Sequence, residues 1–275
     1  ATRERVTMAV TVTGEAGLGK TRLVQEFAGR LDRDTHVFTG RCLPYGEGIT
    51  FWPLREMIRQ AGSGDDSPEK IKDLMAGEAD AATVAEQLHR ALSSGSQGRT
   101  AATEIFWATR RLLEALARHR PVLVVFEDLH WAEPTLLDLV ESLALPPGRS
   151  PIVVVRIARP ELLDQRSAWA ADADRSVSIQ LEPLGAEPAT ALLDSLSAGH
   201  PIAPSTRVRL IDTAGGNPLY LEQLAVSLSE QGGSEIRLAL PPTLQALLSA
   251  RLQRLGPGAS SVLVRAAIVG KDFGE

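Results

Sequence analysis

The eight-residue segment GEAGLGKT, residues 14–21, constrains the fold of this chain more than any other feature. It follows an alternating apolar stretch at 6–12, VTMAVTV, which predicts a β-strand. After it comes RLVQEFAGRL, where Leu23, Val24, Phe27 and Leu31 are predicted to share one helical face. The segment matches G-x-x-x-x-G-K-[ST] at every fixed position, between the strand and the helix that the pattern requires. A Gly-rich turn with an exposed lysine is the disfavoured alternative.

The chemistry of this segment is that of a phosphate cradle. Its glycines let the backbone curl so that N–H groups point at phosphate oxygens, and the start of the following helix adds the positive end of its dipole. We expect the Lys20 ammonium to reach the β- and γ-phosphates and the Thr21 hydroxyl to bind Mg²⁺. The predicted nucleotide contacts here are Gly14, Glu15, Ala16, Gly17, Leu18, Gly19, Lys20, Thr21 and Arg22.

A second feature is the stretch VVFEDLHWAE, residues 124–133, in which an apolar strand ends in Glu127 and Asp128. Two buried carboxylates are costly unless a cation or donors meet them. In a P-loop fold a parallel strand ends beside the cradle and supplies an acid for the metal. We expect Glu127 to hold Mg²⁺ through water and Asp128 to orient or deprotonate the attacking water. Lys20, Mg²⁺ and the loop dipoles are the expected positive partners, and capping of the following turn is the alternative.

Three other side chains have a functional and a structural interpretation. His130 could touch phosphate or a polarised water, but fixing the loop through a backbone hydrogen bond is favoured. Trp131 is expected to fill the core. Cys42 is expected to be a buried, inert thiol. No spacing of His, Cys and acids suggests zinc, and no G-x-S-x-G motif suggests a hydrolase triad.

The order of elements predicts an α/β domain followed by helices. Predicted strands lie near 6–12, 35–42, 121–128, 151–158 and 176–181, with amphipathic helices between them, while 62–100 is expected to be peripheral. After Pro183 only helices are predicted, near 186–198, 204–214, 218–231, 242–255 and 259–269.

Six segments in this order resemble the STAND class of signalling ATPases, above all the ATPase modules of AfsR/SARP and LuxR (MalT-like) activators and of some nucleotidyl cyclases. They are GEAGLGKTRLV, RCLPYGEGITFWPL, VLVVFEDLHWAEPTLLDLV, IARPELL, GGNPLYLEQL and PPTLQALLSARLQRL. The resemblance implies a P-loop NTPase parallel sheet with helices on both faces, then a small all-α domain and the start of a winged helix. The implied domains are 1–182 for the nucleotide, 183–238 for the helical domain and 239–275 for the partial winged helix.

The resemblance also implies site residues and a switch between a closed form and an open, often self-associating form, with ATP or ADP bound. Pro218, in the Gly-Asn-Pro turn, would pack on the adenine. Arg159 matches the sensor arginine for the γ-phosphate, and an arginine at the carboxyl edge of a parallel sheet lies on the ligand side. Two departures are expected to matter. Glu127 replaces the usual Asp, which could slow hydrolysis, and the adenine-contacting segment that normally precedes the first strand is absent.

Composition limits the partners. The net charge is −5, from 29 basic and 34 acidic residues, which argues against a free-standing nucleic-acid binder. The single cysteine fits a cytoplasmic location, and the lack of a ~20-residue apolar run argues against a membrane partner.

From the motifs and the resemblance together, we expect a regulatory switch with slow Mg²⁺-dependent ATP hydrolysis in a bacterial transcription regulator. Its output domain, and any DNA contact, would lie outside this chain. The alternatives are a non-hydrolysing, ADP-plugged interaction module, the ATPase module of a nucleotidyl cyclase and, less favoured, a small-molecule kinase.

Overall fold

A computed structural model describes residues 6–44, 50–94, 99–144, 150–167, 169, 176–197 and 202–230, with isolated positions at 252, 262, 263 and 265–267. The chain divides into two compact units, Ala1–Glu182 and Pro183–Glu275, and each is described on its own. The division into three domains stays a prediction. The predicted winged-helix segment, 239–275, lies almost entirely outside the described residues.

The first unit is built on a five-stranded, fully parallel sheet in the order β2-β3-β4-β1-β5. Its strands are β1 (Met8–Thr13), β2 (His36–Arg41), β3 (Val122–Glu127), β4 (Ile152–Ala158) and β5 (Ser176–Gln180). Because β4 lies between β1 and β3, the segments that follow β1 and β3 leave the same edge about 10 Å apart. The sheet thus places the glycine segment and the acid pair on one edge, separated by one strand.

Helices cover both faces of this sheet, which confirms the predicted fold class. Helix α1 (Lys20–Gly29) packs on one face against the apolar side chains of β1, β3 and β4. The larger core lies on the other face, under α2 (Trp52–Ala61), α3 (Pro68–Leu74), α4 (Ala81–Ser94), α5 (Arg99–His119), α6 (Pro134–Ala144) and α7 (Glu161–Gln165).

The apolar face predicted for α1 is only partly buried. Val24 packs into the core, whereas Leu23 and Phe27 are 41% and 48% exposed. The reason is geometric, because Val24 and Ala28 of α1, and Leu31 just beyond its end, pack towards the sheet while Leu23 and Phe27 lie on the flank of the helix. Only one side of the predicted apolar face is therefore buried against the sheet.

The region predicted to be peripheral contributes to the main core. Ile71, Met75, Val84 and Leu88 are almost fully buried there. At the start of α3 the Ser67 hydroxyl accepts a hydrogen bond from the Lys70 amide at 3.3 Å, and Pro68 is the first helical residue. The expectation that this region is peripheral was therefore wrong, because its apolar side chains pack into the main core.

In the described residues of the second unit the regular elements are all helices, as predicted. Helices α8 (Ala186–Leu196), α9 (Pro204–Ala214) and α10 (Pro218–Glu230) enclose a small core of their own. The Asn217 side chain caps α10 by accepting a hydrogen bond from the Tyr220 amide at 3.1 Å. Over the described part of the chain, no helix has the length and apolar character that a membrane crossing requires.

Candidate functional site

The glycine segment forms a tight turn between β1 and α1. Gly14 has φ 151° and Gly19, the residue before α1, has φ 91°, and L side chains rarely adopt either value. A Cβ on Gly14 would also lie 2.9 Å from the Leu181 carbonyl oxygen. Position 14 therefore requires glycine both for its conformation and for lack of space. The glycines together let the backbone curl into a cradle.

Lys20 lies inside this cradle. Its side chain is buried, and its Nζ donates hydrogen bonds to the carbonyl oxygens of Gly14 at 2.6 Å and Glu15 at 2.8 Å. Burial lowers the pKa of Lys20, and the nearby Arg159 lowers it further, while Asp128 and other carboxylates oppose the shift. The lysine thus shares an electrostatic field with residues that follow β3 and β4.

The two acids at the end of β3 meet an arginine that the sequence analysis did not single out. Arg41 Nε lies 2.7 Å from Asp128 Oδ2 and 3.8 Å from Glu127 Oε2. Lys20 does interact with Asp128 electrostatically, but the direct ion pair is made by Arg41. The signal was an arginine ending the strand HVFTGR, and its meaning depends on the pairing of β2 with β3, which aligns Arg41 with Glu127.

Asp128 does not cap the turn that follows it. It precedes the short 3-10 turn Leu129–Trp131 with φ 56° and ψ 39°, a left-handed conformation that Asp tolerates better than most residues. Its carboxylate makes no capping hydrogen bond in that turn and instead accepts one from Arg41. The capping alternative is therefore not supported for Asp128.

The turn that follows the acid pair contacts Arg159 through the ring of Trp131. Trp131 is 46% exposed, so the expectation that it fills the core was wrong, and its ring centroid lies 5.7 Å from the Arg159 guanidinium. The His130 ring lies 4.9 Å from that of Trp131, and its buried Nδ1 makes no hydrogen bond within the described chain. Burial, Arg159 and Lys20 lower the pKa of His130, while Asp128 raises it. The favoured loop-fixing bond is therefore not seen at Nδ1.

Lys20, Asp128 and Arg159 thus come together from the ends of three strands. The other predicted nucleotide contacts differ in how buried they are. Thr21 is half-buried in the first turn of α1, Leu18 is buried, and Glu15 and Ala16 are exposed. The exposed Arg22 forms an ion pair with Glu26 on the surface of α1 at 3.0 Å. Pro218 begins α10 in the second unit. The ligand roles of all these residues stay predictions.

The predicted magnesium ligands fit a site in which oxygens of the nucleotide supply the remaining ligands. No three His, Cys, Asp or Glu side chains cluster as a metal site would in the described parts of the chain. Mg²⁺ is commonly held by one or two protein oxygens together with phosphate oxygens and water. Thr21, in the first turn of α1, and Glu127, buried at the end of β3, fit that donor set.

A parallel sheet whose first strand leads through G-x-x-x-x-G-K-T into a helix defines the class of P-loop NTPases. Residues 1–155 match the family described as AAA ATPase domain. The match covers more than half of the 275 residues, and the chain belongs to this family. Membership implies nucleotide binding, typically with Mg²⁺, and supports ATPase activity in general.

Two proteins that are similar to this chain are longer than it is. An uncharacterized protein of Rhizobium meliloti (strain 1021) is 28% identical over 285 residues, which cover 95% of this chain and 27% of that protein. The solved structure of Aeropyrum pernix ORC1 in complex with DNA aligns over 95% of this chain and 66% of the ORC1 chain, with 14% identity and a TM-score of 0.45. The chain thus spans about a quarter of its bacterial relative and two thirds of ORC1.

Proposed function

We propose that the chain is a regulatory switch that binds ATP and ADP, hydrolyses ATP slowly with Mg²⁺ and controls a bacterial transcription regulator of the STAND class. The observation that carries the proposal is the convergence on one sheet edge of Lys20 after β1, Asp128 after β3 and Arg159 after β4. A cation in a glycine cradle, an acid and a second cation are the groups that a bound triphosphate needs.

Each residue has one role in this proposal. The loop 14–19 and Lys20 hold the phosphates, and Thr21 and Glu127 hold Mg²⁺, which neutralises phosphate charge when bound. Asp128 orients the attacking water and accepts its proton. Arg159 contacts the γ-phosphate and so distinguishes ATP from ADP.

The ion pair between Arg41 and Asp128 supports a slow reaction. Asp128 Oδ2 already accepts a hydrogen bond from the Arg41 guanidinium at 2.7 Å, so this oxygen is occupied before a water molecule reaches it. Hydrolysis then requires the Asp128 carboxylate either to break its hydrogen bond with Arg41 or to bind the water while keeping that bond. Losing the γ-phosphate would remove contacts with Lys20 and Arg159 worth a few kcal/mol, enough to shift a two-state balance.

The test is nucleotide-dependent stabilisation of a Lys20→Ala variant. Saturating MgATP or MgADP should stabilise the wild-type chain by about 2.7 kcal/mol at 100 times Kd, measured by thermal unfolding. Lys20→Ala should lose this stabilisation, whereas Lys72→Ala, an exposed lysine on α3, should keep it. Normal binding by Lys20→Ala would show that the site is assigned wrongly.

A non-hydrolysing module that holds ADP as a structural plug is the second candidate. Two observations favour it, the Glu127 side chain in place of the usual Asp and the occupation of Asp128 by Arg41. Incubation of the purified chain with radiolabelled ATP and Mg²⁺ distinguishes the two. Measurable turnover supports the switch, while zero turnover with tightly held ADP in the preparation supports the plug.

The partners in this proposal are the nucleotide, a second copy in the ATP state and an output domain outside this chain. The proposed setting is cytoplasmic, without a membrane partner, and any DNA contact belongs to that output domain. Sedimentation with MgADP and with a non-hydrolysable ATP analogue tests self-association. The reading frame around this chain distinguishes a transcription regulator, with a winged-helix or LuxR-type segment, from a nucleotidyl cyclase.

A further inference from the structure

Trp131 is an exposed tryptophan at the edge of the sheet where the charged groups meet. Its ring lies 5.7 Å from the Arg159 guanidinium, within the range of a cation–π contact. Its backbone is fixed, because the Trp131 amide donates to the Asp128 carbonyl at 2.9 Å and the Ala132 amide donates to the Leu129 carbonyl at 3.0 Å. The ring is therefore attached to the same rigid turn as the acid pair.

Arg159 needs such support because of its neighbours. It lies close enough to Lys20 and His130 to lower the pKa of both, so the two cations Arg159 and Lys20 repel each other. Among the described residues no carboxylate forms an ion pair with Arg159, although Asp128 and Glu161 also act electrostatically on Lys20 and His130. The aromatic face of Trp131 is the direct contact that the structure gives its guanidinium.

We propose that Trp131 is a positioning residue that holds the Arg159 guanidinium at the phosphate end of the site and thereby sets the preference for ATP over ADP. The inference rests on the proposed nucleotide site and adds the means by which the γ-phosphate is sensed. Trp131 acts through Arg159 and does not touch the nucleotide. It links the acid turn after β3 to the arginine after β4.

The first test measures the affinities of MgADP and of Mg²⁺ with a non-hydrolysable ATP analogue by titration calorimetry. In Trp131→Leu, which removes the aromatic face, the affinity of the ATP analogue relative to ADP should fall about two- to fivefold, as expected for a partly exposed cation–π contact. The affinity for ADP should stay the same. Trp131→Phe keeps an aromatic face and should retain most of the preference. Trp107→Leu, at a 40% exposed tryptophan on α5, should change neither affinity.

The second test asks whether the effect passes through Arg159. Arg159→Ala should reduce the preference for the ATP analogue, and Trp131→Leu in that background should reduce it no further. Independent losses in the double variant would overturn the inference, as would an unchanged affinity ratio in Trp131→Leu. If Trp131→Leu fails to fold, Trp131→Phe decides, because its predicted ratio lies between wild type and Arg159→Ala.

A third readout needs no nucleotide. The ¹⁵N-detected Nε resonance of Arg159 should carry a ring-current shift that Trp131→Leu removes and Trp107→Leu leaves in place. An Arg159 resonance that does not respond to Trp131→Leu would overturn the inference while leaving the proposed function intact. A wild-type chain that binds neither nucleotide would overturn the proposed function, and this inference with it.

Discussion

At the scale of single residues, Arg41 is the side chain that makes the acid pair tolerable. Glu127 is buried and Asp128 is next to it, and Arg41 Nε lies within 4 Å of both carboxylates. Arg41→Ala should lower the free energy of unfolding by about 1–2 kcal/mol, since it removes a cation that lies within 4 Å of both carboxylates. Arg41→Lys should recover part of the loss, because it keeps the charge without the guanidinium geometry. Urea denaturation measures both.

The control for Arg41 is an arginine in an exposed pair. Arg90→Ala removes the i,i+4 pair with Glu86 on α4 and should cost no more than about 0.5 kcal/mol. Adding Asp128→Asn to Arg41→Ala should restore stability relative to the single variant, because one uncompensated charge is removed. If Arg41→Ala were as stable as wild type, the acid pair would not depend on Arg41.

Cys42, the residue after Arg41, gives a prediction about pH. Burial, and then the nearby Asp128 and Glu56, raise the pKa of its thiol to about 12. The folded state therefore keeps the proton after the unfolded state has lost it, so this thiol lowers stability as pH rises above its ordinary pKa. In Cys42→Ala the free energy of unfolding should decrease less between pH 8 and pH 10 than in the wild type. Urea denaturation at the two pH values measures this difference. At pH 8 the folded thiol should react with a disulfide reagent only as fast as the chain opens.

At the scale of elements, β2 and α2 approach so closely that one glycine is indispensable. A Cβ on Gly40 would lie 2.2 Å from the Pro53 carbonyl oxygen, a backbone atom that cannot turn aside. Gly40→Ala should therefore destabilise the chain by about 1–3 kcal/mol or more. Gly29→Ala is the matched control, because a Cβ there meets nothing within 4 Å and α1 would gain about 0.5–1 kcal/mol. Opposite signs in thermal unfolding would confirm the close packing, and equal effects would contradict it.

Elements were easier to predict than the contacts between them. The apolar run that ends at Glu127 is a local signal, and β3 lies where the sequence indicates. The pairing of β2 with β3 is not local, because more than eighty residues separate Arg41 from Asp128. The ion pair between them therefore could not be predicted from the sequence. The burial of Trp131 was predicted wrongly for a related reason, since its neighbour Arg159 follows another strand.

At the scale of the whole molecule, spectroscopic probes are unequally distributed between the two units. All four tryptophans, Trp52, Trp107, Trp131 and Trp169, lie in the first unit, whereas helices occur in both. Tryptophan fluorescence thus follows unfolding of the nucleotide-binding unit, while far-ultraviolet circular dichroism follows both. A ligand that contacts both units should stabilise them together, and one that contacts a single unit should not.

The assignment of Pro218 to the adenine can be tested in this way. If Pro218 covers the adenine, saturating MgADP should shift both signals of the wild-type chain to higher temperature together, by the equivalent of about 2.7 kcal/mol at 100 times Kd. Pro218→Asp places a carboxylate at the start of α10, where the helix dipole favours it but where it cannot cover a base. In this variant the circular dichroism melt should split into a shifted and an unshifted step. Pro204→Asp, at the start of α9, should melt like the wild type, and equal melts for all three chains would remove Pro218 from the site.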